Sequence, residues 1–227
     1  MQMTETRRWR FKGPEMEGPI ARWYARVRGS KSQLDAYRKQ ASQITAGLPA
    51  GARVLEVAFG PGYLAIEMAR LGFQVSGNDI SRTFVDIATE NARRAGLTVD
   101  FRQGDVAQMP FETNSFDLVV CQAAFKNFTL PRSALAEIHR VLRAGGTAVI
   151  QDMSRDATHA DIEREVGGMD LGRLSTFTTK ATLEMLKRRA YAPAQFERLA
   201  ANSPFSTCEI TTEGIGLEVR LTKELEQ

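Results

Sequence analysis

The central part of the chain alternates short apolar runs with segments whose apolar residues recur at helical spacing. The apolar runs predict five strands, near residues 53–58, 73–78, 98–102, 116–121 and 147–152. Strands and helices alternate in this way when parallel strands are joined by right-handed crossovers. We therefore predict an α/β fold with a doubly wound, mostly parallel sheet.

Two further strands are predicted near the end of the sequence. Residues 208–212 and 216–221 alternate apolar and polar positions on either side of a short turn that contains Gly214. This pattern predicts an antiparallel hairpin at the edge of the sheet, which brings the sheet to seven strands.

The chain is expected to form one domain over residues 1–227, because its length and its 43% hydrophobic content suffice for one sheet and its covering helices. Within it we assign residues 1–48 to a helical segment, 49–153 to a ligand-binding core, and 154–227 to a helical insert and the hairpin.

The N-terminal segment is predicted to act as a lid, because it places aromatic residues among Arg and Lys and has too little apolar content to fold alone. Those aromatic residues are Trp9, Phe11, Trp23 and Tyr24. The alternative is a fixed helix packed on the sheet.

Composition excludes several classes of protein. No apolar run approaches the eighteen or so residues of a membrane span, and the N-terminus lacks the core of a signal peptide, so a cytoplasmic location is expected. Two cysteines and two histidines without ligand spacing predict neither a disulfide framework nor a metal site. The first 40 residues carry ten Lys and Arg against four Asp and Glu. We interpret this basic stretch, which includes Arg7, Arg8, Arg10 and Lys12, as a solvated terminus rather than a nucleic-acid surface.

The most informative segment is residues 54–62, where an apolar strand runs through a glycine turn into a helix. Gly60 and Gly62 allow a tight turn and a close approach of the backbone to a ligand. The N-terminus of the following helix favours an anionic group. With Asp79 about twenty residues further on, the segment fits the fingerprint of NAD- or FAD-binding proteins.

Three other features favour a different ligand. Glu56 lies inside the apolar strand, where a carboxylate is costly unless it meets a partner such as an ammonium group. A second acidic turn, Gly104-Asp105-Val106, follows the third predicted strand. The fourth strand is followed by a helix that runs to Gly145-Gly146 and leads into the fifth strand.

Taken together, these motifs resemble the class I S-adenosylmethionine-dependent methyltransferases over residues 50–153. The matching segments are Glu56 with Gly60-Pro61-Gly62, Asp79, Asp105-Val106, and Arg140-Val141-Leu142-Arg143-Ala144-Gly145-Gly146. Ala58 stands where many members have glycine, but the ubiquinone and menaquinone C-methyltransferase branch tolerates alanine there. Residues 124–128 are also similar to a segment of that branch, with Lys126 in place of an arginine.

The resemblance implies a Rossmann-like fold and S-adenosylmethionine as cofactor. By the resemblance, Asp79 would bind the ribose hydroxyls, Ile80 the adenine face, and Asp105 with the Val106 N–H the adenine edge. Glu56 would act on the ammonium through water or a backbone carbonyl, with the Gln122 carbonyl beside it. The residues that would shape the site are Ala58, Gly60, Gly62 and Gly104. Two simpler interpretations remain open. Asp79 could cap the helix that begins near Ser81, and Asp105 could be an ordinary turn residue.

The acceptor is expected beyond the carboxyl ends of the strands, as in other open α/β sheets. Seven apolar residues there indicate a small aromatic or lipid-like molecule: Trp23, Tyr24, Phe125, Phe128, Met153, Met169 and Phe177. About half of them are expected to complete the core instead.

Methyl transfer requires a general base only if the acceptor loses a proton. The polar residues expected near the methyl group are Tyr24, Lys126, Asn127, Asp152 and His159, and for the role of base we name Asp152 and Tyr24. The alternatives are a nicotinamide oxidoreductase and a methyltransferase-like binding protein without turnover. A homodimer is compatible with the sequence.

Overall fold

The computed structural model describes residues 16–169 and 173–225. Seven strands form one sheet in the order β3-β2-β1-β4-β5-β7-β6. The strands are β1 Arg53–Val57, β2 Gln74–Asp79, β3 Asp100–Gln103, β4 Phe116–Gln122, β5 Leu142–Met153, β6 Glu209–Glu213 and β7 Gly216–Thr222. β1 to β5 are parallel, and β7 pairs antiparallel with both β5 and β6. The predicted fold class and the terminal hairpin are confirmed.

Helices cover both faces of the sheet. They are α1 Gly18–Arg28, α2 Lys31–Ile44, α3 Tyr63–Arg70, α4 Arg82–Arg94, α5 Pro131–Val141, α6 His159–Gly167, α7 Arg173–Lys187 and α8 Pro193–Ala201. On one face, α2 and α3 pack on Val54, Leu118 and Val120. On the other face, α5 and α8 bury Leu55 and Val119. The opposite burial of neighbouring strand residues follows from the period-two alternation of side chains in a strand.

β5 begins five residues earlier than the sequence predicted. Helix α5 ends at Val141, and Leu142 already pairs with Phe116. The register then shifts, so that Leu118 pairs with Thr147 and the residues in between bulge from the sheet. The glycines were interpreted as a helix end because glycine commonly terminates helices. Gly145 instead lies in the bulge, where its φ of 78° gives the left-handed backbone conformation that glycine adopts most readily.

The described part of the N-terminal segment packs on the core. Ala21 of α1 is buried against Phe59 of the glycine turn and Phe84 of α4. Tyr37 and Ala41 of α2 are buried against α3. This is the arrangement that the fixed-helix alternative predicts, and opening of the segment as a lid stays a prediction. Trp9, Phe11 and the basic residues 7, 8, 10 and 12 lie outside the described residues.

Within residues 16–169 and 173–225, every helix is too short or too polar to cross a membrane.

Candidate functional site

The glycine turn joins the carboxyl end of β1 to α3. Ala58, Gly60 and Gly62 all adopt left-handed backbone conformations, with φ of 55°, 54° and 77°. A Cβ on Gly62 would lie 2.7 Å from the Cβ of Ala88 in α4, whereas the nearest atom to a Cβ on Gly60 would be Tyr24 Cε1 at 4.0 Å. Gly62 is therefore required for close packing of the turn on α4. Gly60 is the glycine whose backbone stays open to a ligand.

Asp79 ends β2 beside this turn and is almost fully buried. Its Oδ2 accepts a hydrogen bond from the Gly60 N–H, and its Oδ1 accepts one from the Ser81 N–H, both at 2.9 Å. Burial raises the pKa of Asp79 to about 6, although these hydrogen bonds act in the opposite direction. The N-terminus of α4 is capped by Ser81, whose Oγ accepts from the Phe84 N–H at 3.0 Å. The cap is therefore Ser81, and Asp79 fixes the glycine turn against β2.

Glu56 is the most unusual group in the site. Its side chain is buried near the carboxyl end of β1, with 3% of the residue exposed. The Ala65 N–H in the first turn of α3 lies near enough to the carboxyl group to lower its pKa, while Oε2 has no hydrogen-bond partner among the described residues. Burial raises the pKa of Glu56 to about 8, the Ala65 hydrogen bond lowers it, and the nearby Asp79 charge raises it.

This position of Glu56 distinguishes the two nucleotide interpretations. In a dinucleotide-binding protein, the N–H groups at the start of this helix hold a pyrophosphate. Here one of those groups, the Ala65 N–H, faces the protein's own carboxyl group, which a pyrophosphate would have to displace. A ligand cation would instead supply the missing partner of Oε2 and stabilise the ionised form of Glu56. The geometry fits S-adenosylmethionine, which carries an ammonium, and disfavours NAD.

The end of β3 provides the second acidic turn. Gly104 donates its N–H to the Asp79 carbonyl at 2.9 Å and accepts from Asn78 Nδ2 at 3.0 Å. Asp105 Oδ1 accepts from the Ala107 N–H at 2.9 Å, which is the turn role that the sequence left open. Half-buried Ile80 and buried Val106 lie beside it. Contact of these residues with an adenine stays a prediction.

Helix α2 contributes residues that the sequence reasoning missed. Tyr37 accepts a hydrogen bond at its hydroxyl from Arg28 Nε at 2.9 Å. Burial raises the pKa of Tyr37 to about 12, with the Arg28 charge opposing and the Glu56 charge contributing. Tyr37 is buried in one cluster with Val54, on the face of the sheet from which Glu56 also projects. The available signal was the helical spacing of Tyr37, Ala41 and Ile44, which marks the buried face of α2.

The polar residues expected near the methyl group separate into different places. Asp152, at the end of β5, and Lys126, in the 3-10 helix Phe125–Asn127, form a buried ion pair with Nζ to Oδ1 at 2.6 Å. Asp152 also accepts from the backbone N–H groups of Lys126 and Met153. Tyr24 lies over the glycine turn, with its ring 5.9 Å from that of Phe84. His159 is exposed and pairs with Glu184 of α7.

The apolar residues proposed as acceptor walls divide evenly. Phe125, Phe128 and Met153 are buried in the core, while Trp23, Met169 and Phe177 are exposed. Tyr24 is partly buried at the glycine turn. Among the residues that the structure describes, no group of three His, Cys, Asp or Glu side chains is placed to hold a metal ion.

Fold and site together have the features expected of a class I methyltransferase: a seven-stranded sheet with the β7 hairpin, a glycine turn after β1, and acidic residues in β1, at the end of β2 and after β3. Residues 55–150 match the methyltransferase domain family Methyltransf_11. This match covers less than half of the chain and is what the chain is similar to in its central part.

Curated relatives match about half of the chain. A demethylmenaquinone methyltransferase of Deinococcus radiodurans is 37% identical over 108 residues, which cover 47% of this chain and 45% of the relative. A ubiquinone biosynthesis O-methyltransferase of Xanthomonas axonopodis pv. citri is 34% identical over 108 residues, with the same two coverages of 47% and 45%. The chain thus matches slightly less than half the length of these relatives.

The fold similarity extends further along the chain. The crystal structure of a putative S-adenosyl-L-methionine-dependent methyltransferase from Methanococcus maripaludis superposes with a TM-score of 0.67 at 23% identity. The superposition covers 92% of this chain and 94% of that one. The predicted class of fold is thereby confirmed.

Proposed function

We propose that the chain transfers a methyl group from S-adenosylmethionine to a small aromatic or lipid-like acceptor of the quinone type. The observation that carries the proposal is Glu56, a buried carboxylate at the N-terminus of α3 with one oxygen left for a ligand cation. The names of the two curated relatives, which both concern quinones, support the acceptor class.

The described side chains provide one partner for each end of the cofactor. Glu56 would hold the ammonium, and Arg28, which donates to the Tyr37 hydroxyl on the helical side of the site, is a cation of the right sign for the carboxylate. Asp79, already fixed by the Gly60 and Ser81 N–H groups, would accept from the ribose hydroxyls. Asp105, Ile80 and Val106 would surround the adenine.

The cofactor supplies a methyl group already activated by a sulfonium, so the bond from sulfur to carbon breaks as the acceptor atom forms its own bond to the carbon. The contribution of the protein is then to align the two and to exclude water. An acceptor hydroxyl would lose its proton in this step. Tyr24 lies beside the glycine turn and is our first candidate to relay this proton to solvent, its hydroxyl accepting the proton as it releases its own.

Asp152 is the second candidate, and its geometry favours a positioning role. Both of its oxygens accept hydrogen bonds, and its ion pair with Lys126 ties the loop after β4 to the end of β5. To act as a base, Asp152 would have to give up these partners. We infer that the pair shapes the acceptor side of the site.

The direct test is transfer of a labelled methyl group to a panel of reduced quinone precursors with short side chains. Product formation that depends on S-adenosylmethionine and is lost in Asp79→Ala supports the proposal. A folded protein that binds S-adenosylhomocysteine but methylates no member of the panel would contradict the acceptor class. A cytoplasmic location, a homodimer and the absence of nucleic-acid partners stay predictions.

A further inference from the structure

Three glutamine side chains form a continuous hydrogen-bonded chain at the carboxyl edge of the sheet. Gln122 Nε2 at the end of β4 donates to Gln40 Oε1 of α2 at 2.6 Å. Gln40 Nε2 donates to Gln151 Oε1 of β5 at 2.5 Å. Gln151 Nε2 donates to Glu218 Oε2 of β7 at 2.7 Å. We call this series, from Gln122 to Glu218, the amide chain.

The direction of the amide chain is set at its far end. A carboxylate only accepts hydrogen bonds, and Arg220 Nε already donates to Glu218 Oε1 at 2.8 Å. Gln151 must therefore turn its NH₂ group toward Glu218 and its oxygen toward Gln40. Gln40 must then turn its NH₂ group toward Gln151 and its oxygen toward Gln122, and Gln122 must turn its NH₂ group toward Gln40. If one of these amides were reversed, two donors or two acceptors would face each other. The chemistry of Glu218 thus decides which way Gln122 points.

The near end of the amide chain lies on the same face of the sheet as Glu56. Glu56 pairs in register with Val120, and Gln122 follows two residues later, so its side chain projects from the same face one pleat nearer the carboxyl edge. Helix α2 covers this face, and its Tyr37, one turn before Gln40, lies close enough to Glu56 to feel its charge. Gln122 and the unpartnered oxygen of Glu56 therefore border the same space.

We propose that Glu218 acts through the amide chain as a remote positioning residue, which holds Gln122 Oε1 outward as a second acceptor for the ammonium group of the cofactor. This inference rests on the proposed function. Two acceptors, one charged and one neutral, then share the three N–H groups of the ammonium. Gln40 links this arrangement to the N-terminal helices.

Glu218→Gln tests the proposal without touching the site. In this variant the amide oxygen at position 218 takes the Arg220 hydrogen bond, which leaves the NH₂ group facing Gln151. Every amide of the chain then reverses, and Gln122 presents NH₂ to the ammonium. We expect the affinity for S-adenosylhomocysteine to fall at least tenfold by calorimetry. The affinity for 5′-methylthioadenosine, which keeps the nucleoside and lacks the ammonium, should change less than twofold.

Matched variants separate reversal from simple damage. Glu213→Gln makes the same change at an exposed glutamate of the same hairpin and should bind both ligands as the parent does. Gln40→Met interrupts the chain without reversing it, so its loss of affinity should be smaller than that of Glu218→Gln. Equal weakening of both ligands by Glu218→Gln, no weakening at all, or a larger loss in Gln40→Met would overturn the proposal. A parent protein that binds neither ligand would instead contradict the proposed function.

Discussion

Replacement of Glu56 by glutamine isolates the energetic cost of the buried carboxylate. Glutamine keeps the shape of the side chain and an oxygen for the Ala65 N–H, and it removes only the charge. In the folded protein the pKa of Glu56 is about 8, against an ordinary value of 4.5. Because the folded pKa is the higher one, Glu56 contributes stability that is fully present below pH 4.5 and is lost as the pH rises toward 8.

The size of the effect follows from the two pKa values. Each pKa unit corresponds to about 1.4 kcal/mol, so the parent should lose about 3–4 kcal/mol of unfolding free energy between pH 5 and pH 8 through this one group. Glu56→Gln should not show that loss. Urea unfolding of both proteins at pH 5 and pH 8 measures the difference, and the variant should gain on the parent as the pH rises.

The control is Glu165→Gln, which makes the same substitution at an exposed position of α6. It should follow the parent at both pH values. If Glu56→Gln and the parent lose stability in parallel between pH 5 and pH 8, the burial of the Glu56 charge is not the source of the pH dependence. Glu56 would then have no need of a ligand cation to compensate a buried charge.

Two further substitutions test the packing around the site. Gly62→Ala should destabilise the protein by about 2 kcal/mol or more, because its backbone is left-handed and the new Cβ would lie 2.7 Å from the Ala88 Cβ. Gly51→Ala is the control, since Gly51 is also left-handed but has open space around its Cβ position. Comparing the thermal unfolding of the two variants separates the effect of the clash from that of the backbone strain. Lys126→Met should cost about 3–5 kcal/mol in urea unfolding, because it leaves Asp152 buried without its cation. The double variant Lys126→Met with Asp152→Leu should recover much of that loss, and a loss that simply adds would show that the pair is not coupled.

Hydrophobic patterning sufficed to predict the centre of the sheet, because β1 and β4 are covered on both faces and appear as continuous apolar runs. It failed at the start of β5, where Leu142 continues directly from α5 and the following glycines form a bulge instead of a helix end. The bulge depends on pairing with β4 and with the residues after β7, which are distant in sequence. No local pattern records such pairing.

The part of the candidate site that lies in recognisable sequence motifs was predicted. Glu56, Asp79 and the glycine turn are adjacent in sequence to strand ends, so their meeting follows from the topology. Arg28, Tyr37 and Gln40 were missed because they come from helices whose docking depends on tertiary packing. The pairing of Lys126 with Asp152 was missed for the same reason, although each was expected on this side of the sheet.

The central claim is that the glycine turn and Glu56 bind the ammonium-bearing nucleoside S-adenosylmethionine and not a dinucleotide. Titration calorimetry of the parent protein at pH 7 with S-adenosylhomocysteine and with NADH, each in two buffers of different ionisation enthalpy, tests it directly. We predict binding of S-adenosylhomocysteine with release of about one proton per site, since a Glu56 that is mostly protonated in the free protein must ionise to meet the ammonium. NADH should give no binding heat. Binding of NADH with comparable affinity, or binding of S-adenosylhomocysteine without proton release, would contradict the account.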